Sequence, residues 1–458
     1  MKQILFNYEY EISSKKTYRN YEENFMKKWI MIGAVLLTST LSAQEKRAID
    51  IDEAVTIAMK NNIQVIAAMN SYNSTVANVL PKTWGRNLPT VSASANFNHS
   101  MLNEVSGVSS FGGSSSNNTY SYSLDANYVI FDGLKKFDEM TQARLDESSA
   151  KFDFENTRQE VTLSVYQAYI TVLKNQQLLK IAEENLKRSE EQLKRLEERN
   201  RLGAQILSDV YKQRVQVGSD KLAVNKAKNN LRTSKASLNN LIGVDVNTEI
   251  ELKELPVDMA FDQKQFDFDQ SYQTALDNRK DYKASTKKVE STRRSLSIAK
   301  SGYYPTLSAV ASYKWNNTAL DFNKYSDKDN ALVGLNLSVP LFTGFQTNSS
   351  VIQADQRYQT ERSNMESTKR KVALDIKIAL LNMQTAYENV QLSDENVKSA
   401  KEDLRLATER YNLGAGTLLD QITATTGYST AEANYTQARY DFVYARQQYL
   451  LAVGQLNN

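Results

Sequence analysis

Glu198-Arg199-Asn200-Arg201-Leu202-Gly203-Ala204 and Glu409-Arg410-Tyr411-Asn412-Leu413-Gly414-Ala415 are one phrase written twice. Shifted forward by 211 places, residues 131–243 fall on 342–454 with no insertion or deletion. Phe131-Asp132-Gly133 meets Phe342-Thr343-Gly344, Glu184-Asn185 meets Glu395-Asn396, Asp209 meets Asp420 and Gly243 meets Gly454. Upstream the match continues with small changes of shift, from Leu88-Pro89-Thr90 to Tyr304-Pro305-Thr306 and from Ala58-x-x-Asn61 to Ala275-x-x-Asn278. A long internal period of this kind decides architecture before any single motif does. Each half reads helix, strand, loop, strand, helix, helix.

Around this phrase the helices are long. No Pro or Gly occurs between Gly133 and Gly203. Leu179, Ala182, Leu186, Ser189, Leu193, Leu196 and Asn200 alternate three and four apart, and Val390, Ser393, Val397, Ala400, Leu404, Ala407 and Tyr411 repeat them. That is coiled-coil spacing with small and polar residues admitted to the seam. A helix over 134–201 would be on the order of 100 Å long. Shorter helices near 51–86 and 208–242 together match its length, as do 268–302 and 417–453 beside 347–411. Two short helices stacked end to end could therefore pair with each long one.

Four segments have a different period. Val91, Ala93, Ala95 and Phe97 alternate with Ser92, Ser94, Asn96 and Asn98, and Tyr120, Tyr122, Leu124, Ala126 and Tyr128 with Ser121, Ser123, Asp125 and Asn127. Leu307, Ala309, Ala311, Tyr313 and Trp315 alternate with Ser308, Val310, Ser312 and Lys314, and Val333, Leu335, Leu337 and Val339 with Gly334, Asn336 and Ser338. Strands of about ten residues with one apolar and one small polar face suit a transmembrane barrel, or a soluble sandwich with one face covered. Four strands cannot close a barrel, and lipid does not tolerate open edges. Closure would need several chains: two would give eight strands, three would give twelve and room for a lumen. The polar loops Asn103 to Asn118 and Asn317 to Asn330 would lie together on the outer side.

Composition removes other classes. The chain has 458 residues, 41% hydrophobic, with only 16 Gly and 5 Pro and a formal net charge of +3. It has no cysteine, which excludes disulfides, thiol catalysis and thiolate metal sites, and its single histidine, His99, lies in a strand as an ordinary surface or lumen residue. No phosphate-binding glycine loop, HExxH or GxSxG pattern is present, and Glu183-Glu184 and Glu190-Glu191 lie among Lys and Arg on solvated helix faces. We therefore expect no enzyme activity, no cofactor and no metal. Lys369-Arg370-Lys371 and Lys287-Lys288 are offset by nearby acids, so no nucleic-acid face is expected.

Met26-Lys27-Lys28, the apolar run Trp29 to Leu37 and Leu41-Ser42-Ala43 before Gln44 read as an export signal, with Met26 the start. The run is too short for a membrane anchor. The mean hydropathy of −0.53 does not argue against a barrel, which exposes only a band about 25 Å tall to lipid. With the signal and no other anchor, the membrane reading prevails. The rival is a secreted soluble coiled-coil scaffold with β-hairpin insertions.

The chain here resembles the TolC family of outer-membrane efflux and secretion ducts, over about 49–454. The resemblance rests on Ile51-Asp52-Glu53-Ala54-Val55 with Ala58-Met59-Lys60-Asn61-Asn62, on Leu88-Pro89 and Tyr304-Pro305, on Val339-Pro340-Leu341-Phe342-Thr343-Gly344, and on the two Leu-Gly-Ala turns. It implies a mainly α fold with a small β part: long antiparallel coiled-coil hairpins and four transmembrane strands per chain. As a homotrimer these would complete a twelve-stranded barrel and an α-helical tube. Residues 1–43 would be an upstream stretch and signal peptide, 44–243 the first repeat with its β-hairpin at 88–131, 244–267 an equatorial connector, and 268–458 the second repeat with its hairpin at 305–342.

The resemblance further implies a passive outer-membrane channel (porin-like, with a long periplasmic extension) of a Gram-negative bacterium, working with a periplasmic adaptor and an inner-membrane pump. Leu202, Gly203, Ala204, Leu413, Gly414 and Ala415 would form the adaptor-docking tip. Tyr411, Asp420 and Asp209 would form the periplasmic gate, with three Asp420 side chains ringing the axis and attracting cations. Two family positions differ: Gly416 stands where a basic residue is expected, and Thr423 where a second acid is. Closure would then rest on Tyr411, on other charges such as Arg410, or be looser, and Asp420 reads equally as a plain N-terminal charge of its helix.

Overall fold

The computed structural model describes residues 48–100, 117–255, 267–317 and 330–456. The export signal, most of both strand-connecting loops and part of the connector lie outside the described residues. In chain order the elements are β1 (Ala48–Ile49), α1 (Ile51–Asn61), α2 (Ile63–Ala77), α3 (Val79–Thr83), β2 (Thr90–Ser100), β3 (Asn117–Phe131), α4 (Lys135–Arg201) and α5 (Leu207–Ile242). After β4 (Glu251–Leu252) come α6 (Phe268–Asn278), α7 (Lys280–Lys300), β5 (Thr306–Asn317), β6 (Asn330–Ser338), α8 (Gln346–Asn412) and α9 (Leu418–Ala452). The long helices α4 and α8 are each 67 residues.

Each long helix begins after a left-handed pair, Gly133-Leu134 (φ 69° and 68°) and Gly344-Phe345 (φ 58° and 63°). These pairs reverse the chain from strand to helix. Where the sequence suggests one helix over 51–86, the chain breaks at Asn62, whose backbone is extended. The side chain of Asn62 explains the break. Its Oδ1 accepts from the amides of Gln64 and Val65, capping α2, while its Nδ2 donates to the Leu241 carbonyl at 2.8 Å. Arg279 breaks the corresponding helix in the second half, between α6 and α7, and its Nη1 lies 3.5 Å from the Ala452 carbonyl. Leu241 and Ala452 are themselves repeat equivalents.

These breaks are where short helices abut. Gly243 ends α5 with φ 73°, and a Cβ there would come within 2.7 Å of the Asn61 Cβ and 2.8 Å of its carbonyl oxygen. Gly454, beyond α9, has φ 72° and would meet the Arg279 amide nitrogen at 2.8 Å. The stacks α1–α3 with α5, and α6–α7 with α9, run along α4 and α8 respectively. The helix α4 also packs against α7 and α9, joining the halves into one layer. That layer has α2 and α5 on one side and α8 on the other.

The first joint is filled by Ala54, Val55, Ala58, Val161, Val165, Tyr169, Leu238 and Ile242. Tyr169 is fully buried, with its hydroxyl 2.9 Å from the Ile49 carbonyl and 2.7 Å from that of Lys253, so it ties α4 to the parallel pair β1–β4. Burial and then the charge of Asp50 push this hydroxyl up to about 12, so it remains a neutral donor. The second joint packs Ala275, Val372, Ile376, Ala379 and Ala452. Here Arg279 donates to both oxygens of Asp281 (3.0 and 2.6 Å) and to Asp375 at 2.9 Å.

The four long strands form one antiparallel sheet in the order β2-β3-β5-β6. Its register pairs Val91 with Ala126, Leu124 with Tyr313 and Ala311 with Val333, so all four alternations are in phase. Every apolar set therefore shares one face. Asp125, Ser92, Ser312, Ser94 and Ser123 share the other.

Two outcomes test the joints. Gly243→Ala should cost well above the roughly 1–2 kcal/mol of a left-handed L-residue, because Asn61 blocks the new Cβ. Gly203→Ala, with nothing within 4 Å, should cost only that; equal melting temperatures for the two variants would refute the abutment. At the second joint, burial alone would raise the Asp281 carboxyl, but hydrogen bonding and charge from Arg279 outweigh it and hold it below the usual carboxylate range. The stability from Asp281 is thus complete above its unfolded value and lost only as pH falls through the lower folded one. In Arg279→Met burial is the main influence left and raises the carboxyl, so roughly 2 kcal/mol should be lost at neutrality, and in thermal melts followed from about pH 7 to pH 3 the gap to wild type should close as Asp281 takes up its proton.

Candidate functional site at the hairpin tips

The turns α4–α5 and α8–α9 have the same backbone. Gly203 and Gly414 take φ 76° and 75°. The amides of Gly203 and Ala204 donate to the carbonyls of Asn200 and Arg199, and those of Gly414 and Ala415 to Tyr411 and Arg410, all within 2.9–3.1 Å. This is a Schellman closure, which satisfies the last carbonyls of each long helix. It leaves Leu202 and Leu413 at the apices, 73% and 84% exposed. Leucines so exposed on an otherwise polar tip are available for contact with another surface.

Just past the turns the halves diverge. Thr417 caps α9: its hydroxyl accepts from the Asp420 amide at 3.2 Å and donates to Asp420 Oδ2 at 2.7 Å, which also accepts from the Thr417 amide at 3.0 Å. This reciprocal box, with Arg410 nearby, holds the exposed Asp420 carboxyl below its ordinary range. In the first half Ile206 occupies the cap position and has no side chain able to cap. Asp209, the equivalent of Asp420, is instead 8% exposed and accepts from Gln205 at 2.6 Å and Lys212 at 3.4 Å.

A small core joins the two tips. Leu196, Val210 and Leu418 are buried, with Leu193, Tyr411 and Ile422 around them. The Tyr411 hydroxyl is buried without a hydrogen-bond partner. Burial first, and then the charge of Asp209, push it above the usual tyrosine range, while Arg199 pulls the other way. The structure thus brings Tyr411 and Asp209 from opposite hairpins into one electrostatic neighbourhood. Asp420 stands apart: among the described residues no hydrogen bond or ion pair joins it to either.

At Gly416 a Cβ would lie 3.1 Å from the Arg410 Cβ and 3.3 Å from the Tyr411 amide nitrogen. The end of α8 must give way for any side chain there. Arg410, at that end of α8, supplies positive charge near Asp420.

Contacts above the tips were not legible from motifs. Gln192 on α4 donates to Gln421 on α9 at 3.2 Å, and Arg188 lies 5.8 Å from the centre of the Tyr428 ring, whose hydroxyl donates to Glu432 at 2.6 Å. Within the first hairpin the buried Asp220 carboxylate accepts from Asn185, Gln216 and Ser189. The polar Ser189 in the heptad seam was the only hint of that layer. Among the described residues no cluster of metal-ligating side chains occurs.

Comparison with known proteins places this geometry. The family described as "Outer membrane efflux protein" matches residues 85–244 and 271–455. The outer membrane protein TolC of Vibrio cholerae is 23% identical over 274 residues, which cover 59% of this chain and 62% of that protein. The match thus spans less than two thirds of that relative. Among solved structures, the V. cholerae outer membrane protein VceC superposes with a TM-score of 0.74 at 17% identity, covering 88% of this chain and 96% of that one. The Campylobacter jejuni CmeC outer membrane channel superposes at 0.75 and 20% identity, covering 89% and 86%.

Two substitutions separate the roles at the tip. Thr417→Ala removes a cap and should cost about 1 kcal/mol. Tyr411→Phe removes a buried hydroxyl that has no partner and should leave the melting temperature unchanged or raise it slightly. A clear drop in melting temperature for Tyr411→Phe would mean that its hydroxyl is satisfied in the native protein.

Proposed function

This chain belongs to the outer membrane efflux protein family, and we propose that it is the passive outer-membrane duct of a tripartite efflux or type I secretion assembly. Its family and fold are those of outer-membrane channels for efflux or secretion, not of enzymes. In the finer reading, three copies close a twelve-stranded barrel and an α-helical tube. The tube reaches through the periplasm to an adaptor and an inner-membrane pump.

The observation that carries this reading is the bare face of the sheet. Val91, Phe97, Leu124, Tyr313, Val333, Leu335 and Leu337 share one face and are exposed. Among the described residues the strands pack extensively only against one another. A soluble scaffold would have to cover this face, and no described helix does so. Lipid would, at a gain of about 25 cal/mol per Å² removed from water. Exposed Trp84, Phe131, Tyr303, Tyr304, Phe342 and Phe345 lie where strands give way to helices, as an interfacial belt requires. No described helix is long and apolar enough to cross a membrane.

Both edges of the chain are also open. Neither β2 nor β6 has a strand partner on its outer side among the described residues. On the helical layer, Leu374, Ile378, Leu381 and Leu392 are exposed along α8 at one edge, and Tyr211, Val215 and Leu222 along α5 at the other. Closed cyclic symmetry would satisfy strand edges and helix faces together. In that arrangement Leu202-Gly203-Ala204 and Leu413-Gly414-Ala415 point at the adaptor, and Tyr411, Asp209 and Asp420 surround the narrow end.

Native protein extracted in detergent should come from the outer membrane and size at about three times the mature chain. A monomer released without detergent would leave the soluble scaffold standing. In planar bilayers Asp420→Ala should change conductance and cation preference, whereas Thr417→Ala, which removes the cap but keeps the charge, should not. Unchanged currents in Asp420→Ala would remove Asp420 from the gate.

A further inference from the structure

Full charge is almost absent from the sheet. In the described residues of β2, β3, β5 and β6 the only ionic side chains are Asp125 and Lys314. Both lie on the polar face, on the two central strands. Asp125 is paired in register with Ser312 and with Ser92, and Lys314 with Ser123. Acid and base are thus diagonal neighbours, one same-face step apart, a separation that long side chains span.

The carboxylate is held in place. Ser123 donates to Asp125 Oδ2 and Ser312 to Oδ1, each at 2.6 Å, and Ser94 lies 2.8 Å from the Ser123 hydroxyl. Three strands therefore fix one negative charge on the wall, with one positive charge beside it. The rest of that face is mostly Ser and Asn, with Val310, Leu332 and Gly334 among them.

We propose that Asp125 and Lys314 form a charge-balanced pair that makes the exit barrel indifferent to the sign of its cargo, and that either residue alone would make it selective. The inference rests on the duct reading, in which the polar face lines the lumen. Three acids and three bases would then form two rings one same-face step apart along the strands. A ring of one sign in a low-dielectric wall raises the local counter-ion concentration severalfold. Paired closer than the Debye length of about 8 Å, the two rings largely cancel. Anionic, cationic and neutral solutes would leave alike, so any sorting by charge belongs to the narrow end or to partners.

The absence of cysteine gives a clean test. Ser94→Cys places one thiol on the polar face beside Ser123, and Val333→Cys one on the apolar face. Cells carrying the full-length protein are treated from outside with cationic and anionic methanethiosulfonates of similar size, and the ratio of the two rates at residue 94 is divided by that for free cysteine. With Asp125 and Lys314 intact this ratio should lie within about twofold of unity. Lys314→Gln should favour the cationic reagent by about threefold or more, Asp125→Asn the anionic one, and the double substitution should return to parity. Lys314→Gln leaves both serine bonds to Asp125 in place, so a purely structural role for Asp125 would not move its ratio. A ratio unmoved by either substitution overturns the proposal. Labelling at residue 333 but not at 94 would instead overturn the duct reading beneath it.

Discussion

Two contacts between backbones carry the helical layer. At Gly243 and again at Gly454, the end of one helix lies so close to the start of another that no Cβ fits between them. Stacked short helices can imitate a continuous one only if their ends meet this closely. A gap would open the layer beside α4 or α8 and expose their cores. Asn62 and Arg279 reinforce the joints by reaching equivalent carbonyls with different chemistry, an amide in one half and a guanidinium with two carboxylates in the other. The repeat preserves the contact and lets the side chain vary, because the requirement lies in the backbone.

The sheet obeys a different constraint. In lipid its edge hydrogen bonds can be completed only by another strand, whereas its apolar face is covered by the medium itself. The chain supplies neither that strand nor that cover within its described residues. In water the edges can bond to solvent but the apolar face stays bare; in lipid the face is covered but the edges are not, so the proposed duct needs membrane and assembly together. The helical layer repeats the pattern more gently, with exposed leucines and isoleucines along one edge and Tyr211, Val215 and Leu222 along the other.

Much of this was legible because it is periodic. The doubling, the heptads of α4 and α8 and the alternation of the four strands are regularities of side-chain spacing, and the strand register only brought them into phase. What depends on a single side chain finding a single partner was not legible. No Gly or Pro lies within residues 51–80, and nothing in that run gave a sign that Asn62 would end one helix and cap the next. Arg188 over Tyr428 depends on how two hairpins lean together, which spacing along one helix does not specify. At the tips, Asp209 and Asp420 are equal by sequence and unequal in structure. The cause lies three residues upstream, where Thr417 can form a capping box and Ile206 cannot. The tightness around Gly416 was likewise visible only once the end of α8 was placed beside it.

The 67-residue helices have a consequence for how such a chain can change length. One residue inserted into α4 would turn everything beyond it by about 100°. Leu196 would leave the tip core, and Arg188 would no longer face Tyr428. Repair requires an insertion close to a whole number of turns, matched in α5, and again in α8 and α9 so that both tips stay level. The reach of this molecule is therefore quantised. It can grow or shrink by paired heptads of about 10 Å, in all four helices at once, and hardly otherwise.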